Sequence, residues 1–311
     1  RWLMATFFVL LRFIALSQLI PEKIRANMNN QFVSKETLNS CVYYKIEHPK
    51  FAATISEFGG QLLSFTPKDN QNEPQDLLWL SESSPLDGSK PIRGGVPLCW
   101  PWFGPAQGDF VGEPQHGYIR SVPWSLINVV ESDTSVEMIM QPNLTKELSQ
   151  SLGLDVQVRY VFADTVSIEL TTTNTSTEAK PLSQAIHTYF ALDNVNDHKV
   201  LGLNQIRYLD KLDNAAEVIQ DGDVVITEHT DRVYLTAQDK VSLLNGNKNM
   251  DILGQGHDSI VVWNPWQENA KNMVDFDDQG YTNMICIEMA NTQGLVLQPQ
   301  QVHKLVQLIK P

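Results

Sequence analysis

From residue 42 onward, short runs of alternating apolar and polar residues recur between clusters of turn formers, the period of strands with one buried face. Residues 42–47, 51–56 and 61–65 read as strands, with Phe58-Gly59-Gly60 turning the chain between the second and third. Longer runs follow at 124–130, 135–141, 155–162, 166–173 and 182–192. The series closes with 260–263, 284–289, 295–297 and 302–309, and Ala163-Asp164-Thr165 reads as a tight hairpin connection. Helical periodicity is scarce, with one or two turns expected over 146–152. Many strands, few helices and no strand–helix–strand alternation predict an all-β fold, a large antiparallel β-sandwich. No repeat, low-complexity tract or linker interrupts the pattern, so residues 28–311 are expected to form a single domain.

Two stretches break the alternation. Residues 81–117 hold Pro, Gly and aromatic residues at high density, and 264–282 are expected to be similarly irregular. Structureless loops of that length in a compact domain are usually functional. Residues 1–27 differ again, being almost wholly apolar from 2 to 20 with Arg12 in the middle. A secretory signal or membrane anchor is one reading. Against it, a central Arg costs a spanning helix about 2.5–3.5 kcal/mol, and no small-residue cleavage site stands out. The reading adopted as the expectation is that the functional protein begins at Met28, with upstream sequence before it.

Composition narrows the partners. Lys and Arg total 23 against 36 Asp and Glu, a net charge of −13 that repels nucleic acid and anionic membranes. The expected partner is therefore a small molecule, and the expected assembly a monomer or weak homodimer. A phosphorylated ligand needs a local cluster of cations set against that field. Cys41, Cys99 and Cys286 form no CxxC pair, which argues against a disulfide framework or zinc site and for a reducing, cytoplasmic setting.

Three segments carry candidate chemistry. The run IRGGVPLCWPWFG (92–104) continues to QHGYIR (115–120). Its paired glycines allow close backbone approach to a ligand, and Trp100, Trp102 and Phe103 offer a flat platform for a sugar ring. Arg93 and Arg120 can grip a phosphate or hydroxyls bidentately. His116 is a candidate substrate contact as well. Equally, the aromatics can fill core, the arginines can pair with surplus carboxylates, and His116 can be a structural hydrogen-bonder. In LSQAIHTYFAL (182–192), alternation puts Leu182, Ile186, Phe190 and Leu192 on the core face and His187 opposite, with Ser183, Ala185 and Tyr189. That face suits a sugar cleft, although a lone strand His is more often structural. In MICIEMAN (284–291), Glu288 stands alone among apolar residues. Burying it unpaired costs several kcal/mol, so it has a partner such as an Arg, or a purpose. Apolar surroundings raise a carboxyl pKa toward neutrality, which suits a general base.

These runs, in order with SQAIHTYFAL (183–192) and WNPWQENAKNMVDF (263–276), resemble the glucose-6-phosphate 1-epimerase (hexose-6-phosphate mutarotase) family of the galactose-mutarotase-like superfamily. The resemblance covers the chain from about Phe51 to its end and leaves residues 1–27 outside. It implies a supersandwich of antiparallel sheets, an isomerase without cofactor or metal, and a hexose 6-phosphate substrate. It also implies catalytic roles for His187 and Glu288 and substrate binding by Arg93, Gln115 and Arg120. Asp231, in TDRVY (230–234), matches an aspartate that binds sugar hydroxyls, whereas sequence alone makes it a turn residue. Ring opening of a hemiacetal needs one base and one acid, and Glu288 with His187 supply them.

Three alternatives remain open at this level. One is a related epimerase acting on unphosphorylated aldoses, and another a non-catalytic carbohydrate-binding module, which has no use for a buried Glu288. A glycoside hydrolase is disfavoured because it needs two carboxylates, and one well-placed candidate is visible.

Overall fold

The computed structural model describes residues 30–68, 74–106, 108–245 and 248–311; the apolar segment 1–27 lies outside the described residues. The chain from Phe32 to Pro311 gathers into one compact unit. In chain order its strands begin with β1 (Val33–Leu38), β2 (Cys41–His48), β3 (Phe51–Ser56), β4 (Leu62–Pro67) and β5 (Leu98–Cys99). Next come β6 (Trp124–Glu131), β7 (Val136–Pro142), β8 (Leu154–Phe162), β9 (Val166–Asn174), β10 (Lys180–Ile186), β11 (Tyr189–Ala191) and β12 (His198–Leu201). The remainder are β13 (Arg207–Asp210), β14 (Ala216–Ile219), β15 (Thr230–Tyr234), β16 (Lys240–Asn245), β17 (Lys248–Gln255), β18 (Ser259–Asn264), β19 (Met284–Leu297) and β20 (Val302–Lys310). All pairings between these strands are antiparallel.

The strands form a four-stranded sheet, β1-β2-β3-β4, and two eight-stranded sheets. One large sheet runs β12-β16-β17-β20-β9-β8-β7-β6; the other runs β14-β13-β15-β18-β19-β10-β5, with β11 also paired to β19. Strict alternation on β8 and β9 sends Val158, Tyr160, Ile168 and Leu170 inward. There they share a core with Ile186, Phe190, Val262, Ile285 and Ile287 of the other large sheet. Burying side chains of this size stabilises by about 1.5–3 kcal/mol each, which makes the shared core the main cohesive term. The all-β antiparallel expectation is met.

A buried polar thread crosses this core. Trp100 Nε1 donates to Thr172 Oγ1 (3.1 Å), Thr172 to Gln184 Oε1 (3.1 Å), and Gln184 Nε2 to Asn291 Oδ1 (3.1 Å). Such groups are tolerated inside because each finds a partner.

Several details differ from the alternation pattern. The run 182–192 is broken at His187-Thr188, where the backbone N–H groups of His187 and Tyr189 turn to the carbonyls of Pro97 (3.0 Å) and Gly95 (2.9 Å). Thr188 points into the core and bonds Gln307 of the opposite sheet. Residues 284–289 and 295–297 belong to one long strand, β19. Strands β1, β12 and β14 are sheet edges with mostly exposed residues or short length, so their hydrophobic pattern is weak. The 264–282 segment is not simply irregular, since it contains helix α2 (Trp266–Asn272) and a 3-10 turn, Gly280–Thr282. Among the described residues the other α-helix, α1, spans Lys146–Leu152 as expected, capped by the Thr145 side chain and closed by left-handed Gly153. Among the described residues, no helix is long and apolar enough to cross a membrane.

Candidate active site

The face of the β15-β18-β19-β10 sheet turned away from the shared core floors a cleft of about 1140 Å³. Arg93, Gln115, His116, Arg120, His187, Asp231 and Glu288 all line it, so seven residues scattered over the sequence meet in one place. A second hollow, about 320 Å³, adjoins through Asp231 but is walled by Asp210, Asp213 and Glu228, a poor setting for an anion.

Strand register explains the centre of the floor. Ile186 pairs with Met289 and Tyr189 with Cys286, so the intervening His187 and Glu288 come opposite each other on neighbouring strands. Glu288 Oε1 lies 3.4 Å from His187 Nε2, and both side chains are buried. Glu288 Oε2 and His187 Nδ1 have no hydrogen-bond partner. Burial, seconded by the charge of Asp231, pushes the Glu288 carboxyl well above its ordinary range. Burial, with His116, Arg120 and Arg93 adding to it, pushes His187 well below its own. Both shifts favour the neutral form of the group over its charged form. A carboxyl and an imidazole at this separation can exchange a proton, which is the equipment of general acid–base chemistry.

Around this pair the cleft is aromatic. Tyr189 stacks on the His187 ring, and Trp263 meets it edge-on at 6.3 Å between centroids. Phe103 and Trp102 also line the cleft, Trp102 stacked on Phe110. Trp100 does not. It is fully buried in the main core, which corrects the platform expectation for that residue.

The loop geometry is set by two glycines. At Gly95 and Gly117, both with positive φ, a Cβ would run into the carbonyl oxygens of Leu62 and Trp100. These glycines allow the loop to press against its own protein rather than against a ligand. Beside Gly117, His116 sits at φ +65°, and its Nδ1 accepts from the Gly104 N–H at 3.1 Å. Its proton therefore resides on Nε2. Burial, with Arg120 and Arg93 nearby, lowers its pKa to about 3.

The two arginines differ. Arg93 is gripped by Asp275, Nε to Oδ2 at 3.2 Å and Nη2 to Oδ1 at 3.3 Å, and its Nη1 donates to Tyr189 Oη at 3.2 Å. Arg120 donates one N–H to the Gln115 carbonyl (2.9 Å), and its buried Nε has no partner. Asp275, Trp263, Lys180 and Lys211 are cleft or partner residues that sequence reasoning did not single out. Asp275 and Trp263 both fall within the 263–276 run, where nothing in the local pattern distinguishes them from their neighbours. Asp231 lies on a strand, not in a turn.

No metal-spaced ligand set is visible in the sequence, but the fold assembles one from adjacent strands. Donor atoms of His187, Cys286 and Glu288 lie within 4.8 Å of one another.

The family described as Aldose 1-epimerase matches residues 43–310. Over 264 residues the chain is 33% identical to the "Putative glucose-6-phosphate 1-epimerase" of Escherichia coli (strain K12), spanning 83% of this chain and 86% of that protein. A protein of the same description from Cenchrus ciliaris is 33% identical over 252 residues, 76% of this chain and 74% of its own length. The crystal structure of a "putative mutarotase" from Salmonella typhimurium superposes with a TM-score of 0.81 at 28% identity, covering 91% of this chain and 95% of that one.

Proposed function

The chain belongs to the aldose 1-epimerase family, and from that premise we propose that it interconverts the α and β anomers of a hexose 6-phosphate, with glucose 6-phosphate the expected substrate. The observation that carries this reading is the buried Glu288–His187 pair, whose Oε2 and Nδ1 have no partner and which lines a cleft roomy enough for a hexose phosphate. In the forward step Glu288 takes the proton of the anomeric hydroxyl as the bond from C1 to the ring oxygen breaks. His187 delivers a proton to that oxygen, giving the open-chain aldehyde. Rotation about the C1–C2 bond presents the other carbonyl face, and the same transfers in reverse close the ring. One proton enters and one leaves, so the pair is restored each turnover.

Asp231 and Gln115 are assigned to the sugar hydroxyls, and the His116 Nε2–H offers a donor that stays neutral at physiological pH. Arg93 is already engaged by Asp275, so the phosphate charge falls mainly to Arg120, with Lys180 and Lys211 as the other cations lining the cleft. The free cysteines support a reducing, cytoplasmic setting. Two-dimensional NMR exchange between anomers, run with glucose 6-phosphate and with glucose, tests the assignment. Enhanced exchange of the phosphate ester is expected. Exchange of glucose alone would transfer the function to unphosphorylated aldoses, and no enhancement of either would reject it.

A further inference from the structure

The fold brings a thiol to the acid–base pair, and no step proposed above uses it. Cys286 and Glu288 point to one face of β19, and Cys286 pairs across the sheet with Tyr189 on one side and Trp263 on the other. With the His187 imidazole they place a nitrogen, a sulfur and a carboxylate oxygen within 4.8 Å of one another, all buried. The His187–Glu288 separation of 3.4 Å is already what a tetrahedral ion requires. Metal–nitrogen and metal–oxygen bonds of about 2.0–2.2 Å set such donors about 3.3–3.5 Å apart. Glu288 Oε2, buried and without a partner, is a second donor left unmet.

We propose that His187, Cys286 and Glu288 form a binding site for a thiophilic divalent cation, zinc above all, which shuts the enzyme off by capturing its acid and its base together. The donor set is that of an open zinc site, three protein ligands with the fourth position facing the cleft, and soft sulfur selects against magnesium and calcium. Charge supports it as well. A thiolate and a carboxylate beside a dication make a neutral group, the net charge that a buried site tolerates at least cost. Sulfur binds a metal as thiolate, so binding releases the thiol proton and affinity rises with pH. Metal capture rests on the geometry alone; inhibition rests in addition on the function proposed above.

Cadmium and zinc titrations of the full chain, first stripped with a chelator, decide the matter. Cadmium should raise the ultraviolet absorbance of a cadmium–thiolate bond, saturating at a single ion per chain. Calorimetry in buffers of different ionisation enthalpy should show proton release on zinc binding. Cys286→Ser should abolish the band and weaken zinc by about a hundredfold, since removing even outer partners of a metal costs about 10–100-fold. Cys41→Ser should leave both unchanged, and this arm stands even where Cys286→Ser folds poorly. Zinc should stop anomer exchange in the unaltered chain and a chelator should restore it. Exchange by Cys286→Ser should persist at zinc levels that silence the unaltered chain. Absence of the band, or its loss in Cys41→Ser, would overturn the site. Binding without inhibition would keep the site and overturn its role, whereas metal-free protein with no exchange at all would count against the proposed activity and not against the site.

Discussion

Tyr189 lies flat on the His187 imidazole, 4.9 Å between ring centroids and 7° between planes, while its hydroxyl accepts from Arg93 Nη1. Arg93 is in turn held by Asp275, so a carboxylate on the 264–282 segment fixes, through two intermediates, the plane of the imidazole. Aromatic pairs of this kind contribute about 0.5–1.5 kcal/mol beyond their buried area, enough to restrict a ring that must face one oxygen. Tyr189→Phe keeps the stack and should lower exchange by less than about tenfold, whereas Tyr189→Leu should lower it further at unchanged KM. Equal rates in the two variants would mean the stack has no positioning role.

Removing either member of the pair tests the chemistry itself. Glu288→Gln and His187→Asn preserve shape and should reduce catalysed exchange by about 10²–10⁴-fold with binding largely retained. Near-normal turnover by a variant with an unaltered circular dichroism spectrum would remove that residue from the mechanism.

The same pair leaves a mark on stability. Glu288 has a folded pKa raised above its ordinary 4.5, so its contribution is complete below pH 4.5 and lost as pH rises toward the folded value. The melting temperature of Glu288→Gln should therefore gain on the unaltered chain as pH rises above 4.5. One proton corresponds to at most about 1.4 kcal/mol per pH unit, roughly 2 °C in a domain of this size. His116 is the opposite case. Its pKa falls from 6.5 to about 3, so its contribution is present above 6.5 and lost on acidification through that window. His116→Gln should flatten the acid limb of the melting curve, and a limb of unchanged slope would show that other groups set it.

Charge engagement orders the arginines. Arg120→Ala should raise KM for glucose 6-phosphate by about ten- to hundredfold and hardly affect glucose, because a charge-assisted hydrogen bond contributes about 1.5–3 kcal/mol. Arg93→Ala should instead reduce kcat for both sugars, since it frees Asp275 and Tyr189. Lysine at 120 should restore part of the loss. Equal KM losses on both sugars would mean that Arg120 binds ring hydroxyls, and the phosphate assignment would fall.

Metal dependence is the last check. Dialysis against a chelator should leave exchange intact or raise it, because the acid–base route needs no ion. A loss restored by a divalent cation would overturn that route.

Alternation was enough to reveal the strong strands of the core, because burial on one face writes a two-residue period into β8, β9 and β20. It was enough for Glu288 too, since a carboxylate amid apolar neighbours is legible without coordinates. Asp231 and Gln115 entered only through resemblance, because their own surroundings in the chain carry no anomaly. Trp100 misled for a physical reason: it and Trp102 are two residues apart around Pro101, and only the loop's path sends one to the core and the other to the cleft. The His187–Cys286–Glu288 cluster was invisible because strand pairing, not spacing, creates it.

The polar thread from Trp100 through Thr172 and Gln184 to Asn291 has a consequence for how accurately the chain must fold. Its amides and hydroxyls find partners only when β10 and β19 align as observed, with Gln184 facing Asn291. Slipping by one residue would strand those groups unbonded in hydrocarbon and rotate Glu288 from the cleft into the core. An alignment that parts Glu288 from His187 is thus also one that leaves the thread unbonded, so the register that satisfies the sheet is the register that assembles the proposed pair.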